Sequence, residues 1–149
     1  MNLDKRPPIM LIAEDDPDDR QWIKEALVLT HINAEVRFVE DGEDLMDFLF
    51  HRGKYKTTST LSYPGMIILD LNMPRKDGRE ALKEIKSDPR LRHIPIIILT
   101  TSKSKEDVFR TYDLGANSVI LKPVKFSGLT EIMQSLKQYW FEMTELPLN

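Results

Sequence analysis

The sequence predicts an α/β domain in which a five-stranded parallel sheet carries helices on both faces. Strand-like and helix-like segments alternate five times along the chain, which is the order of repeated β-α units. No internal repeat or second domain is visible, so we expect one core whose crossovers are right-handed. Three predicted strands are unbroken apolar runs, as expected of strands covered on both faces; they are Ile9–Ala13, Met66–Leu69 and residues 96–99.

Acids and a proline mark the start of the first helix. Asp16 is a suitable N-cap, and Pro17 fits the first helical position because no backbone N–H is needed there. Asp18 and Asp19 then lie in the first turn, where the helix dipole favours negative charge. We therefore predict a helix that begins directly after the first strand.

An edge strand, a helix and a long loop are predicted next. Glu35–Val39 alternates only partly between apolar and polar residues, which favours an edge position in the sheet. Asp41 caps a helix that reaches about Phe50, and residues 51–65 follow as a polar segment. A loop of this length is uncommon in a compact domain, which indicates that it is either functional or mobile.

Three more helices and a last strand complete the predicted order. One helix covers Gly78–Ser87, and a shorter one begins at the N-cap Ser104 and ends at Gly115, a typical residue after a helix end. Ser118–Leu121 is the last strand, and the last helix covers about residues 127–142.

Composition excludes several classes of function. The 149 residues suffice for one sizeable core, and the net charge of −3 gives no indication of a nucleic-acid partner. The chain has no cysteine, which excludes disulfides, zinc–cysteine sites and a cysteine nucleophile. No segment has the length and apolarity of a membrane span, and the first residues lack a signal-peptide core. We therefore expect a cytoplasmic protein without a membrane partner.

Polar residues follow four of the five predicted strands. The carboxyl ends of parallel strands meet at one edge of the sheet, where such folds bind ligands. Taken singly, each group has a structural explanation, such as a helix cap, a turn or a solvated charge. Their coincidence at four strand ends favours a common site, whereas the three histidines lie elsewhere and are predicted to be surface residues. The four groups are Glu14 with Asp15, Asp70, Thr100 with Thr101, and Lys122.

Carboxylates held close together favour a cation among them, and hard oxygen ligands favour Mg²⁺. Asp15 and Asp70 can bind the ion directly, the backbone carbonyl near Asn72 can add a ligand, and Glu14 can act through water. An oxygen nucleophile, a metal and a lysine are the parts needed for phosphoryl transfer. Asp70, a lone acid after a central strand, is the predicted nucleophile.

In these residues the chain resembles the receiver domain of bacterial two-component response regulators, over about residues 9–142. Residues 11–16, Leu-Ile-Ala-Glu-Asp-Asp, are similar to the acidic pair after the first strand of that family. Residues 70–74, Asp-Leu-Asn-Met-Pro, followed by Gly78, are similar to its phosphorylation-site signature. Thr100 and the pair Lys122–Pro123 match its switch hydroxyl and its lysine followed by a cis-proline bond.

The resemblance implies a flavodoxin-like receiver fold with strand order 2-1-3-4-5, as one domain over residues 1–149. It also implies that a sensor histidine kinase transfers a phosphoryl group from phosphohistidine to the chain, with Mg²⁺ as cofactor. The implied roles are phosphoacceptor for Asp70, metal binding for Asp15, Asp70 and the Asn72 carbonyl, a water-mediated contact for Glu14, and phosphoryl contacts for Thr100 and Lys122.

Two positions depart from the family pattern. The family often has an aromatic switch residue three positions before the lysine, where this chain has Val119. Thr101 is also bulkier than the small residue often found beside the switch hydroxyl. With Val119 at this position, the usual paired rotation of the switch threonine and the aromatic side chain is not expected in its ordinary form. Thr101 is expected to narrow access to the phosphorylation site.

No DNA-binding or enzymatic output segment is recognised before the end at Asn149, so we expect output through a protein surface. The segment 51–65 and the late extension resemble regulators that serve bacterial phytochromes, which makes a phytochrome the expected kinase.

The last helix carries one apolar stripe, formed by Leu129, Ile132, Met133, Leu136 and Trp140. Three further apolar residues cannot all join this stripe; they are Tyr139, Phe141 and Met143. At least one should stay exposed, which predicts a homodimer through this helix and its neighbouring strand and helix, with Phe109 and Tyr112 as further contacts. The alternative is a local cluster covered by the tail 146–148.

Other functions of the same fold are alternatives to a phosphoacceptor domain. An aspartyl-phosphate phosphatase generally needs a second acid two residues after its nucleophile, and Asn72 cannot supply a carboxylic proton. A nucleotide or flavin module needs a glycine-rich loop, which residues 13–17 lack. A non-phosphorylated adaptor remains an alternative, although the complete set of acids, threonine and lysine argues against it. We therefore expect a signalling domain that catalyses only its own phosphorylation and dephosphorylation.

Overall fold

The five predicted strands form one parallel sheet in the order β2-β1-β3-β4-β5, which confirms the predicted fold class. The structure is a computed structural model, and it describes residues 6–58 and 63–148. As predicted, the partly polar strand β2 lies at an edge, and the three apolar strands lie in the centre. The strands are β1 Ile9–Ala13, β2 Glu35–Val39, β3 Met66–Leu69, β4 Ile96–Thr100 and β5 Ser118–Leu121.

Alternate residues of each central strand face two separate halves of the core. In β3, Ile67 and Leu69 pack with α2 and α3, whereas Met66 and Ile68 pack with α1 and α5. This is the side-chain period of a strand covered on both faces, and it explains the unbroken apolar runs. The helices are α1 Pro17–Thr30, α2 Gly42–Phe50, α3 Gly78–Ser87, α4 Lys105–Asp113 and α5 Phe126–Leu136.

The predicted helix caps are present. The Asp16 carboxylate accepts hydrogen bonds from the first-turn amides of α1, and Asp41 accepts the Asp44 amide in α2. Ser104 accepts the Asp107 amide in the same way, and Gly115 follows α4 with a φ of +113°. These short-range bonds fix where each helix starts relative to the end of the preceding strand.

The prediction of a polar loop over residues 51–65 is wrong for its first half, because Gly53–Thr58 forms a 3₁₀ helix. Tyr55 anchors this helix, since its ring packs edge-on against Phe48 and its hydroxyl donates a 2.8 Å hydrogen bond to Asp44. Such contacts to α2 are not visible in local sequence patterns. Residues 59–62 of the predicted loop, among them Ser59 and Thr60, lie outside the described residues.

The last helix differs from the prediction in its final turns. The α-helix ends at Leu136, and Lys137–Met143 continues it as a π-helix, in which the Thr144 amide donates to the Tyr139 carbonyl at 2.9 Å. Trp140 and Phe141 pack against the α1–α5 half of the core. Tyr139 and Met143 are 53% and 70% exposed, which confirms that part of this aromatic segment faces outward.

The cis bond implied before Pro123 is not found, because within residues 6–58 and 63–148 no peptide bond is cis. A peptide bond before proline favours trans by only about 0.5–1 kcal/mol, so its isomer depends on the surrounding structure rather than on the residue pair.

Candidate functional site

The site lies at the carboxyl ends of β1 and β3. In the register of the sheet Ala13 pairs with Leu69, so Glu14 and Asp70 follow the two strands side by side. The Asp70 amide donates to the Ala13 carbonyl and the Glu14 amide to the Val39 carbonyl, each at 3.0 Å. The sheet hydrogen bonding therefore extends to both acids and fixes the direction of their side chains.

The structure brings three of the predicted acids together. Glu14, Asp15 and Asp70 each offer a carboxylate oxygen, and these oxygens lie within 4.8 Å of one another. Glu14 and Asp70 are buried, whereas Asp15 is half-buried. Among the described residues, this is the group of potential metal ligands whose side-chain atoms lie close enough together to hold one ion. Crowded oxygen donors of this kind fit a hard divalent cation.

Lys122 lies among the acids. Its amide donates to the Thr100 carbonyl at 2.7 Å, which extends β5 past Leu121. Its ammonium nitrogen is 2.7 Å from Glu14 Oε1, 3.0 Å from Asp19 Oδ2 and 3.5 Å from Asp70 Oδ2. Asp19 was not predicted as a site residue, because its place in the first turn of α1 was explained by the helix dipole.

The acids of the cluster are held in unfavourable surroundings for negative charge. Burial raises the pKa of Glu14 to about 7, and the charge of Asp70 adds to this rise against the hydrogen bond from Lys122. Burial also raises the pKa of Asp70 above its ordinary value. Burial acts to lower the pKa of Lys122, but the bond to Glu14 and the charges of both acids raise it overall. A bound cation would relieve the repulsion that remains.

Two other predicted residues border the site. The Asn72 amide donates to Asp70 Oδ1 at 3.2 Å, so this loop residue orients the acid through its backbone. Thr100 is buried at the end of β4, and its hydroxyl accepts the Ser102 amide at 3.2 Å. Thr101 is exposed at the surface. The structure therefore places Thr100 on the neighbouring strand end but gives it no described contact with Asp70.

The loop after Asp70 turns sharply away from the acid. Arg75 adopts a left-handed backbone with a φ of +65°, and its guanidinium pairs with Asp41, the N-cap of α2. Gly78 starts α3 directly beside the Asp70 backbone, where an added Cβ would lie 2.7 Å from the Leu71 Cα. The close approach of the two backbones explains the need for glycine at position 78.

Val119 stands where the family often has an aromatic switch residue. It is half-buried against the α2–α3 half of the core, and its amide donates to the Tyr112 hydroxyl at 3.1 Å. An aromatic side chain from α4 is thus attached to the backbone of β5 at this position. Local sequence patterns do not predict this contact, because the two residues belong to different elements.

These features define a class of protein. Residues 10–134 match the family model described as the response regulator receiver domain, and the chain belongs to this family. It is a receiver-domain response regulator. Among the described residues no helix has the length and apolarity to cross a membrane.

The chain is similar to particular members of the family. It is 37% identical over 141 residues to the response regulator Rcp1 of Synechocystis sp., which covers 95% of this chain and 94% of Rcp1. The crystal structure of the Mn²⁺-bound form of Rcp1 superimposes with a TM-score of 0.85 and covers 95% of this chain and 99% of Rcp1. The phosphorylated cyanobacterial phytochrome response regulator RcpA is 40% identical, with a TM-score of 0.86 and coverage of 95% and 99%.

Proposed function

We propose that Asp70 accepts a phosphoryl group from a sensor histidine kinase and holds it as a signal. The observation that carries this proposal is the position of the Asp70 carboxylate, buried among acids and 3.5 Å from the ammonium of Lys122. Lys122 can neutralise charge on the transferred group, which is the main requirement of phosphoryl transfer. The predicted role of Thr100 as a further donor to the phosphoryl oxygens belongs to the same proposal.

In this proposal the cofactor is Mg²⁺. Asp15, Asp70 and the backbone carbonyl of Asn72 would hold the ion, and Glu14 would contact it through water. The oxygen donors and their crowding support a divalent cation, and the similar protein Rcp1 has been crystallised with Mn²⁺. The ion supplies positive charge for the transferred oxygens, and Mg²⁺ rather than a softer metal suits an all-oxygen site.

The transfer needs no base on the chain. An oxygen of the ionised Asp70 carboxylate attacks phosphorus, and an O–P bond forms while the P–N bond of phosphohistidine breaks. The imidazole leaves with the electron pair of that bond and takes a proton from water. Asn72 stands two residues after the nucleophile and has no proton to give a leaving group, which supports storage of the phosphoryl group rather than turnover of a substrate.

The proposed kinase is a phytochrome that acts as a sensor histidine kinase in the cytoplasm. The similarity to RcpA, described as a phytochrome response regulator, supports this partner. The chain would pass the signal to other proteins through its surface, without a nucleic-acid contact of its own. Its chemistry would be limited to its own phosphorylation and dephosphorylation.

Labelling with a small donor tests the phosphoacceptor function. With acetyl phosphate and Mg²⁺, intact mass spectrometry should find one added phosphoryl group per chain, because the carboxylate and the lysine are already arranged. Removal of Mg²⁺ with a chelator should slow labelling about a hundredfold or more, since the repulsion among the acids and the phosphate is then unrelieved. Equal labelling with and without the metal would contradict the proposed role of the ion.

We also propose that the chain forms a homodimer through α5, its π-helical end and α4. The exposed apolar side chains on these elements support the proposal: Phe109 and Tyr112 of α4 are 73% and 47% exposed, and Tyr139 and Met143 of the π-helical end are exposed as well. Large exposed apolar side chains are typical of interaction surfaces, and the proposal places these four residues in one such surface.

Substitution of the exposed residues tests the dimer. The double variant Tyr139→Glu, Met143→Glu should elute as a monomer in size exclusion with light scattering, whereas the wild type elutes as a dimer. Val28→Glu, on the exposed side of α1, is the control and should stay dimeric. These substitutions leave Trp140 and Phe141 packed against the core, whereas a chain shortened before Tyr139 would lose both residues. A double variant with the mass of a dimer would refute this surface.

A further inference from the structure

We infer that Asp19 is a positioning residue that holds the Lys122 ammonium beside Asp70 during phosphoryl transfer. The inference rests on the proposed function and extends it to a residue of α1. Lys122 has three acidic partners, and two of them, Glu14 and Asp70, belong to the group that would surround the metal. Asp19, 3.0 Å from the ammonium, is the third partner and stands outside that group.

The position of Asp19 is fixed by the structure of the first turn. Asp16 caps α1 and accepts the Asp19 amide at 3.4 Å. The guanidinium of Arg20 donates to the carbonyls of Glu14 and Asp15 at 2.8 and 2.9 Å, which ties the same turn to the loop that carries the acids. The Asp19 carboxylate therefore has a defined place relative to the site, although it is half-exposed.

The surroundings of Lys122 give its ammonium few other partners. A cavity of about 30 Å³ beside the lysine is lined by the two acids Glu14 and Asp19 and otherwise by apolar side chains, among them Trp22, Leu99 and Pro123. Trp22 also packs edge-on against Phe126 with ring centroids 5.8 Å apart, which joins α1 to α5 beside this cavity. In such surroundings a charged hydrogen bond is stronger than in water, and its loss leaves the ammonium poorly placed.

The chemistry explains why the third partner matters. An ammonium has three N–H donors. Glu14 and Asp19 each accept a hydrogen bond from Lys122, and Asp70 is an ion-pair partner at 3.5 Å. When Glu14 faces a metal and Asp70 carries a phosphoryl group, both offer less charge to Lys122. Asp19 still accepts one donor, so the remaining donors are directed to the transferred oxygens. Without Asp19 the flexible lysine would lose this orientation in the transition state.

A simple helix-dipole role for Asp19 makes a different prediction, and Asp18 separates the two. Both acids lie in the first turn of α1 and carry the same charge. Asp18 is exposed and has no described contact with Lys122, whereas Asp19 pairs with it. A dipole or net-charge effect would be shared by Asp18→Asn and Asp19→Asn, and a positioning effect would be confined to Asp19.

The experiment measures the rate of labelling of the full chain by acetyl phosphate at saturating Mg²⁺, with Mg²⁺ affinity measured separately by calorimetry. Asp19→Asn should label about tenfold more slowly than wild type, the loss expected for one oriented charged hydrogen bond. Asp18→Asn should stay within about twofold of wild type, and Asp19→Glu should recover most of the rate because it keeps the charged acceptor. Mg²⁺ affinity should be the same in Asp19→Asn and Asp18→Asn.

A double-mutant cycle shows whether Asp19 acts through Lys122. In the Lys122→Gln background, Asp19→Asn should cause no further loss of rate. A further loss there, a wild-type rate in Asp19→Asn, or an equal loss in Asp18→Asn would overturn the inference. A wild-type chain that takes up no phosphoryl group would instead refute the proposed function. Thermal melting confirms that each variant is folded, and Asp19→Glu preserves the test if Asp19→Asn is not.

Discussion

Asp70→Asn is expected to abolish labelling by acetyl phosphate and, at the same time, to raise the thermal stability of the metal-free protein. Labelling is lost because an amide cannot act as the oxygen nucleophile. Stability rises because burial raises the pKa of Asp70, which means that the folded protein holds this carboxylate at a cost. We expect this gain near pH 8 to appear as a melting temperature above that of the wild type.

The fold around residue 70 should survive this substitution. The amide oxygen of asparagine can still accept the Asn72 N–H, and Lys122 keeps its contacts with Glu14 and Asp19. Mg²⁺ should stabilise the variant less than the wild type, because one proposed ligand has become neutral. Asp113→Asn, exposed at the end of α4, is the matched control with the same change of charge. Persistent labelling of Asp70→Asn, or a lower melting temperature, would contradict the prediction.

Local sequence patterns predicted the strands, the helix caps and the main site residues. The unbroken run of β3 is buried on both faces, and the acid that follows it can only stand at the edge of the sheet. Because Glu14 follows β1 in the same way, strand order and register alone brought it next to Asp70. This part of the site depends on backbone pairing: periodicity in the sequence predicts the strands, and the resemblance to the receiver family implies their order.

The remaining contacts depend on side chains that meet across long stretches of chain. Asp19 reaches Lys122, Arg75 reaches Asp41, and the guanidinium of Arg79 makes a two-pronged pair with Asp107 that links α3 to α4. Each charge alone is typical of a solvated surface. Only the packing of the helices on the sheet determines which of them meet, so sequence patterns do not predict these pairs.

The two segments of less common helix show the same limit of sequence-based prediction. The 3₁₀ helix at Gly53–Thr58 exists beside a tyrosine that packs on α2, and the π-helix at Lys137–Met143 turns two aromatic residues toward the core. In both segments the local sequence is compatible with an ordinary loop or α-helix. Tertiary contacts select the less common conformation, as they do when intrinsic propensities are weak.

The second large effect is expected from Lys122→Gln, which removes the cation from the buried acids. Glu14 and Asp70 then lose their partner, and breaking a buried charge pair in this way typically costs about 3 kcal/mol or more. The metal-free variant should therefore melt well below the wild type at pH 8. Lys125→Gln, an exposed lysine just after the site, is the control and should melt close to the wild type.

The dependence on pH distinguishes this cause from a general packing defect. Glu14 has a pKa of about 7 in the folded protein against 4.5 for an unperturbed glutamate, so the folded state binds more protons than the unfolded state between these two pH values. Stability of the metal-free wild type should thus be greatest at the acid end of this window and fall as the pH rises through 7. In Lys122→Gln both acids lose a stabilising charge, so their pKa values rise further. The fall in stability with pH then becomes steeper and extends to higher pH.

Melting curves from pH 5 to 8, with and without Mg²⁺, measure this dependence. The melting temperature of the variant should approach that of the wild type at low pH or with the metal. A difference in melting temperature that is constant across pH would contradict the charge-based explanation.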